Sequence, residues 1–222
     1  MNLLDLLLPR RCAVCSHPGA DLCPSCLDGL NRLTGPLCAR CGAPTAWPVS
    51  RCRECSGRRL AFASARAAIA YDDSATRFVG AWKERGLRGL ASAAADLLVE
   101  VLPPPRGMLT FVPPDGDRWL KRGHHPAERL ALELAVRWEL PVAQMLLRTG
   151  RSRRQRGLPL AERRRNVARS FRPTRSVPRS VVLVDDVYTT GSTATAAASA
   201  LRKGGGHAVH VVALARAVRG IR

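Results

Sequence analysis

The sequence predicts an α/β protein, a parallel sheet flanked by helices, with a small cysteine-rich module in front of it. Three observations lead there. All eight cysteines of the 222-residue chain fall in its first quarter, as four CxxC pairs. Near residue 60 cysteine disappears, and short apolar runs begin to alternate with alanine-rich helical segments, the pattern of strand–helix units. Late in the chain, Val181-Val182-Leu183-Val184 gives four consecutive aliphatics, as in a strand buried on both faces, followed by a small turn and a helix.

The cysteines are Cys12, Cys15, Cys23, Cys26, Cys38, Cys41, Cys52 and Cys55. Each CxxC pair can form a knuckle that gives two thiolates to one metal, so four pairs supply two structural zinc sites, each a tetrahedron of four thiolates. Sequential pairing (12/15/23/26 and 38/41/52/55) and an interleaved arrangement both fit the spacing. A module of residues 1–60 buries little apolar surface, so the metal would supply most of its folding free energy. His17 reads as an exposed loop histidine, because cysteines already fill both sites. Arg10, Arg11, Arg40, Arg51, Arg53, Arg58 and Arg59 surround the module, and Trp47 among them is the best candidate for stacking on a base.

The opening MNLLDLLLPRR lacks a basic segment before its apolar run, carries Asp5 inside it and has no small-residue cleavage site. No run approaches the ~18 apolar residues of a membrane helix. A cytoplasmic protein is expected, and structural disulfides are not. Net charge is +19, almost all from arginine: Lys83, Lys121 and Lys203 are the lysines. Such a balance suits a polyanionic partner such as nucleic acid, or reflects an Ala- and Arg-rich sequence alone. Aromatic content of 5% offers few stacking platforms.

From residue 61 to 222 the second unit reads as follows. Residues 65–71 form a strand. Residues 76–85 form a helix with Phe78, Val79 and Trp82 on its inner face, and with Lys83 and Arg85 either solvated or reaching a phosphate. Gly86 and Gly89 break the chain before a helix over 90–102, ended by three prolines. Residues 109–112 are a strand, followed by a turn-rich loop from Pro113 to Arg118. Arg118, Lys121, Arg122 and Gly123 sit in a loop beside a strand end, which suits capture of pyrophosphate. His124 and His125 are neighbours and share no helix face. A helix begins at Pro126, with Leu130, Leu134 and Trp138 inward. Residues 142–147 suggest a strand. From 148 to 179 there are twelve arginines and one acid, Glu162, which reads as a solvated loop and a short helix over about 161–169. Residues 207–214 give the last strand, ending at Arg216.

The stretch with the sharpest chemistry is VVLVDDVYTTGST, residues 181–193. Asp185 and Asp186 are expected to stop the strand at its carboxyl end, where open α/β sheets place their ligands. Thr189, Thr190, Gly191, Ser192 and Thr193 then make a hydroxyl-rich turn into a helix whose N–H groups and dipole favour phosphate. Two carboxylates beside that site suit a sugar diol or a magnesium ion better than a bare phosphate.

This stretch resembles the PRPP-binding motif of type I phosphoribosyltransferases. The resemblance implies that Asp185 and Asp186, the candidate catalytic residues, hold the ribose hydroxyls. It also implies that Thr189 to Thr193 wrap the 5-phosphate, with magnesium accompanying PRPP. Purine-salvage members carry Asp where this chain has Thr189, which argues against a hypoxanthine- or guanine-type enzyme. The whole order of features is similar to the ComF family of competence proteins, a double zinc ribbon joined to a type I phosphoribosyltransferase-like domain. Those features are four CxxC pairs, Trp82-Lys83, a Val-Pro loop with basic residues, the segment Gln155, Leu158, Glu162, Arg163, Arg164, Asn166, and the PRPP motif. Two departures lie on the pyrophosphate side. Arg122-Gly123-His124-His125-Pro126 stands where the family has RGFNQ, and Val112-Pro113-Pro114-Asp115-Gly116 where it has a V-P-V-P-L-type segment.

The resemblance implies binding of PRPP or a similar phosphosugar, single-stranded DNA as a partner, and a role beside competence or recombination proteins. The alternative is phosphoribosyl transfer to an acceptor with release of pyrophosphate. In that case Arg163, Arg164 and Arg165 would close as a lid on the leaving group, or form only a solvated helix face.

Overall fold

The computed structural model describes residues 10–114, 123–149 and 170–218. In chain order its elements are α1 (Pro24–Asp28), β1 (Ser64–Ala70), α2 (Asp73–Glu84), α3 (Leu90–Val101), β2 (Met108–Phe111), α4 (Pro126–Trp138), β3 (Leu146–Arg148), β4 (Phe171–Pro173), β5 (Ser180–Tyr188), α5 (Ser192–Lys203) and β6 (Ala208–Arg216). Four strands pair in the order β1-β6-β5-β2, and every pairing is parallel. The last strand therefore lies inside the sheet. Val181, Val182, Leu183 and Val184 are fully buried, as the run of aliphatics required.

Each face of the sheet carries its own core. One is filled from α2, α3 and α4 by Phe78, Trp82, Leu97, Leu98, Leu130, Leu134 and Trp138. The other is filled from α5 by Ala197 and Leu201, and from the cysteine-rich segment by Phe62, Cys38, Cys41 and Cys55. Trp82 and Trp138 are core residues, as their helical spacing predicts. The N-terminal segment also covers the sheet's edge: Leu33 N donates to Ala68 O at 2.8 Å and Ala70 N to Asn31 O at 2.8 Å. Those bonds occupy backbone groups that an open edge strand would leave for another chain.

Helix starts follow local chemistry. The Asp72 side chain caps α2 by accepting from Ala75 N at 2.9 Å. Pro126 opens α4 at a position where its missing N–H costs nothing. Three expectations need correction. β5 does not stop at the acids but runs to Tyr188, because its pairing with β6 continues through Asp185↔Ala213, Val187↔Ala215 and Tyr188↔Arg216. The run 142–147 is not one strand: Val142 makes a single parallel bridge to Leu109, and Leu146–Arg148 turns away to pair antiparallel with β4. Lys83 does not face solvent but ion-pairs with Asp186. Arg85 is exposed, as expected, and also donates to Ala13 O at 3.1 Å.

The helix expected over 161–169 lies outside the described residues, as do Arg118, Lys121, Arg122, Arg163, Arg164 and Arg165. Among the described residues no helix is long and apolar enough to cross a membrane.

Candidate functional site

The carboxyl ends of β2 and β5 open into a cleft of about 220 Å³. Asp185, Asp186 and Val187 of β5 form its floor, Val112, Pro113 and Pro114 follow from β2, and Thr193 enters from the first turn of α5. Lys83, His124, His125 and Arg148 complete the wall. The structure thus brings Asp185, Asp186 and Thr193 together. Thr189, Thr190, Gly191 and Ser192 form the turn leading into α5, and Gly123 lies just before the two histidines.

The acids are tightly held. Asp186 Oδ2 lies 2.7 Å from Lys83 Nζ, with both side chains about one-fifth exposed, at 18% and 23%. The Asp185 carboxylate accepts from Asp186 N at 2.9 Å, and the Asp186 carboxylate accepts from Val187 N at 2.6 Å. Burial, and then the neighbouring Asp186, push the Asp185 carboxyl up to about 7. Lys83 acts in the other direction but does not cancel the rise. A divalent cation would relieve that crowding, so the donor chemistry of the pair fits a hard metal ion.

The two histidines have structural duties. His125 Nδ1 accepts from Glu128 N at 2.8 Å and so caps α4, which requires its unprotonated form. Burial pulls it down to about 4, and its ring packs 5.4 Å from Phe111. His124 Nε2 lies 2.8 Å from the Trp82 carbonyl and ties α2 to the start of α4.

The turn into α5 has an unusual start. Gly191 is its N-cap, with φ +71°, and no side chain caps the helix. A Cβ on Gly191 would sit 2.3 Å from the Tyr188 hydroxyl, so glycine is required both by φ and by the close approach. Thr190 Oγ1 and Ser192 Oγ share a hydrogen bond of 2.9 Å. The remaining N–H groups of this first turn are what an anion would meet.

The cysteines form two groups, Cys12/Cys15/Cys23/Cys26 and Cys38/Cys41/Cys52/Cys55, each with its sulfurs within 4.8 Å of one another. Pairing is therefore sequential. Tetrahedral zinc with Zn–S bonds of about 2.3 Å places its sulfurs about 3.8 Å apart. The Sγ separations are 3.7 Å for Cys15–Cys23, 3.6 Å for Cys38–Cys55, 3.5 Å for Cys41–Cys52 and 4.0 Å for Cys52–Cys55.

Backbone N–H groups point at the first sulfur of each group: Cys23 N to Cys12 Sγ at 3.5 Å, and Cys52 N to Cys38 Sγ at 3.3 Å. Burial alone would raise both thiols. The N–H groups of Cys15, Cys23 and Val14 outweigh it at Cys12, and those of Cys41, Arg40 and Cys52 at Cys38, bringing each down to about 6. Burial and the crowded partner thiols push Cys26 up to about 12. One cation per group would convert such a set to thiolates. Both groups can hold zinc, and His17 stays exposed outside them.

Sequence reasoning did not pair Lys83 with Asp186, nor place Arg216 at the second cluster. Arg216 is 2% exposed at the end of β6. Its guanidinium donates to Cys41 O at 2.6 Å and to Glu54 Oε2 at 2.8 Å, and it lies 4.8 Å from the Tyr188 ring centre. The available signal was an arginine closing the otherwise apolar run VVALAR. For Lys83 it was a pair of buried acids in need of a counter-charge.

The fold and the two clusters define a class: a module of two four-cysteine ribbons set against a parallel α/β sheet. Residues 3–56 match the family model described as the double zinc ribbon domain. The DNA utilization protein YhgH of Salmonella typhimurium is 28% identical over 230 residues, covering 95% of this chain and 99% of that protein. Competence protein ComFC of Bacillus subtilis is 25% identical over 198 residues, with 85% and 80% covered. Competence protein F of Haemophilus influenzae is 36% identical over 105 residues, with 45% and 46% covered. A solved structure of an allosteric regulatory enzyme of purine biosynthesis is 22% identical. That match covers 55% of this chain and 25% of the other, with a TM-score of 0.40. Over nearly its whole length the chain is thus similar to proteins described as DNA utilization and competence proteins, and its first quarter to the double zinc ribbon domain.

Proposed function

We propose that the cleft binds PRPP or a closely similar phosphosugar together with magnesium, and that the chain serves the handling of incoming DNA. In this reading residues 1–60 are the ribbon unit, and residues 61–222 are a ligand-binding unit of the type I phosphoribosyltransferase kind. One observation carries it: Asp185, Asp186 and Thr193 line a single cleft whose adjoining helix begins without a side-chain cap. The carboxylates take the sugar hydroxyls and the metal, displacing Lys83 from Asp186. The turn 189–193 takes the monophosphate through backbone N–H and hydroxyl groups. Arg118, Lys121, Arg122 and Gly123, with Arg163 and Arg164, take the pyrophosphate.

The DNA part of the proposal rests on the net charge of +19 and on the names of the relatives, which concern DNA utilization and competence. Single-stranded DNA is the partner this predicts. Trp47, 68% exposed, is the residue that would stack on a base.

A second reading, phosphoribosyl transfer, is favoured by Asp185, whose raised carboxyl can exchange a proton near neutral pH. There the bond from ribose C1 to pyrophosphate breaks and a bond from C1 to the acceptor forms.

Calorimetry with PRPP and magnesium, with and without single-stranded DNA, tests the first reading. Binding should fall at least about tenfold in Asp186→Asn. Affinity for the DNA should drop steeply as salt rises, because phosphate contacts release counterions. Absence of PRPP binding by the wild-type protein overturns the ligand assignment. Pyrophosphate release in the presence of a nucleobase panel would establish the second reading.

A further inference from the structure

The second cysteine cluster reaches the turn 189–193 by two routes. The first runs through Arg58. Ser56 N donates to Cys52 O at 2.8 Å and Arg58 N to Cys55 O at 3.2 Å, so the knuckle that would grip the metal also fixes where Arg58 stands. The Arg58 guanidinium then donates to the carbonyl of Thr190, in the middle of the turn. A trans peptide holds its C=O and N–H on opposite sides. Tying the Thr190 carbonyl to the ribbon therefore turns the Gly191 N–H away from it, at the start of α5.

The second route runs through Arg216, which grips the Cys41 carbonyl and lies across the ring of Tyr188. The Tyr188 hydroxyl in turn abuts Gly191.

We propose that Arg58 is a positioning residue for the anion-binding turn, and that metal in the Cys38/Cys41/Cys52/Cys55 cluster sets how well that turn binds a phosphomonoester. The inference rests on the reading of 189–193 as the monophosphate cradle. It adds that the cradle is assembled from both parts of the chain. Arg58 does not touch the ligand. It acts by holding the peptide between Thr190 and Gly191 in one orientation, which saves the ligand the cost of ordering it. By linkage, the coupling runs both ways: a ligand that favours the ordered turn also favours the metal-bound cluster.

The test uses the full, zinc-loaded chain. Arg58→Ala should weaken binding of PRPP–magnesium about tenfold, the scale of one charge-assisted hydrogen bond. Zinc content and Tm should stay at wild-type values. Arg58→Lys should recover part of the loss, and Arg59→Ala, which removes the same charge one residue on, should change little.

A second readout is release of zinc to a chromogenic chelator. PRPP should slow release of one of the two ions in the wild-type protein and neither in Arg58→Ala. A third needs no ligand: amide hydrogen exchange over 189–193 should quicken in Arg58→Ala.

Wild-type affinity in Arg58→Ala, or equal losses in Arg58→Ala and Arg59→Ala, overturns the proposal. If the wild-type protein binds no PRPP, the ligand reading fails first. The exchange measurement then decides the coupling by itself, with unchanged exchange rejecting it and faster exchange keeping Arg58 as the residue that shapes the turn.

Discussion

Two cysteine clusters with the same four donors meet the rest of the molecule in different ways. In the first, only Cys12 is buried, whereas in the second Cys38, Cys41 and Cys55 all are. The first keeps its other three sulfurs out of the core, while its segment docks on the opposite side of the sheet through buried Ala13 and Leu30, with Arg77 donating to Val14 O at 3.4 Å and Arg85 to Ala13 O at 3.1 Å. The second is part of the core beneath the sheet. Gly42, beside its ligand Cys41, lies so close to β1 that a Cβ would stand 2.4 Å from the Ala65 carbonyl. Arg66 donates to Ala39 O at 3.0 Å, and Arg216 closes the cluster from the far side. Identical coordination chemistry thus serves one cluster whose sulfurs stay mostly outside the core and another whose sulfurs are part of it. Burial and partners, not donor identity, separate the two.

The comparison breaks most directly by removing one ligand from each cluster. Cys41→Ser should lose the zinc of its site and cost on the order of 5 kcal/mol, enough to exhaust the stability of a typical domain. Cys15→Ser should lose its own zinc at half that cost or less, because that sulfur lies outside the core. Zinc analysis with thermal unfolding reads both, and equal losses of stability would erase the distinction.

Next in size is Arg216→Met. It leaves the Cys41 carbonyl and the partly exposed Glu54 without their donor and should cost about 2 kcal/mol in denaturant unfolding. Gly42→Ala should cost about 2 kcal/mol or more, since a backbone oxygen cannot swing aside and φ is +69°. Gly80→Ala is the counterpart on the side of the first cluster, in the open groove it shares with Ala13 and Val14. It sits inside α2 with nothing within 4 Å of a new Cβ, and should stabilise by about 0.5–1 kcal/mol.

The smallest effect is a pH dependence in the cleft. Asp185 has a folded value near 7, well above its unfolded one, so the folded state binds the extra proton. Its contribution to stability falls as pH rises from about 4 to about 7. Asp185→Asn should remove that fall and raise Tm at pH 8 in zinc-loaded protein without added magnesium, with little change near pH 4. An unchanged Tm-against-pH curve would show that Asp185 titrates normally.

Much of this arrangement was legible in the sequence because it is local. Four CxxC pairs specify donors at fixed spacing, and Val181 to Val184 specifies a strand with no exposed face. The turn with Gly191 specifies a helix start that only glycine fits. What escaped is set by distant contacts. Helical periodicity places Lys83 one residue beyond the buried Trp82 and so toward solvent, yet the end of β5 waits there with Asp186. Nothing local says that β5 outlasts its two acids, because the pairing that extends it comes from β6. Choosing between sequential and interleaved zinc pairing also needed the path of the chain between the knuckles. The apolar run 142–147 misled because its length fits one strand while its ends serve different sheets.

The position of β6 has a consequence for how the protein is made. It is the last element of the described chain, yet it lies between β1 and β5 and carries the arginine that seals the second cluster. On the ribosome, the N-terminal knuckles emerge early and can take up metal. The sheet they lean on cannot close until residue 216 has left the exit tunnel. A nascent chain paused before that point would leave the facing edges of β1 and β5 unpaired, so the half-made product is a natural client for chaperones.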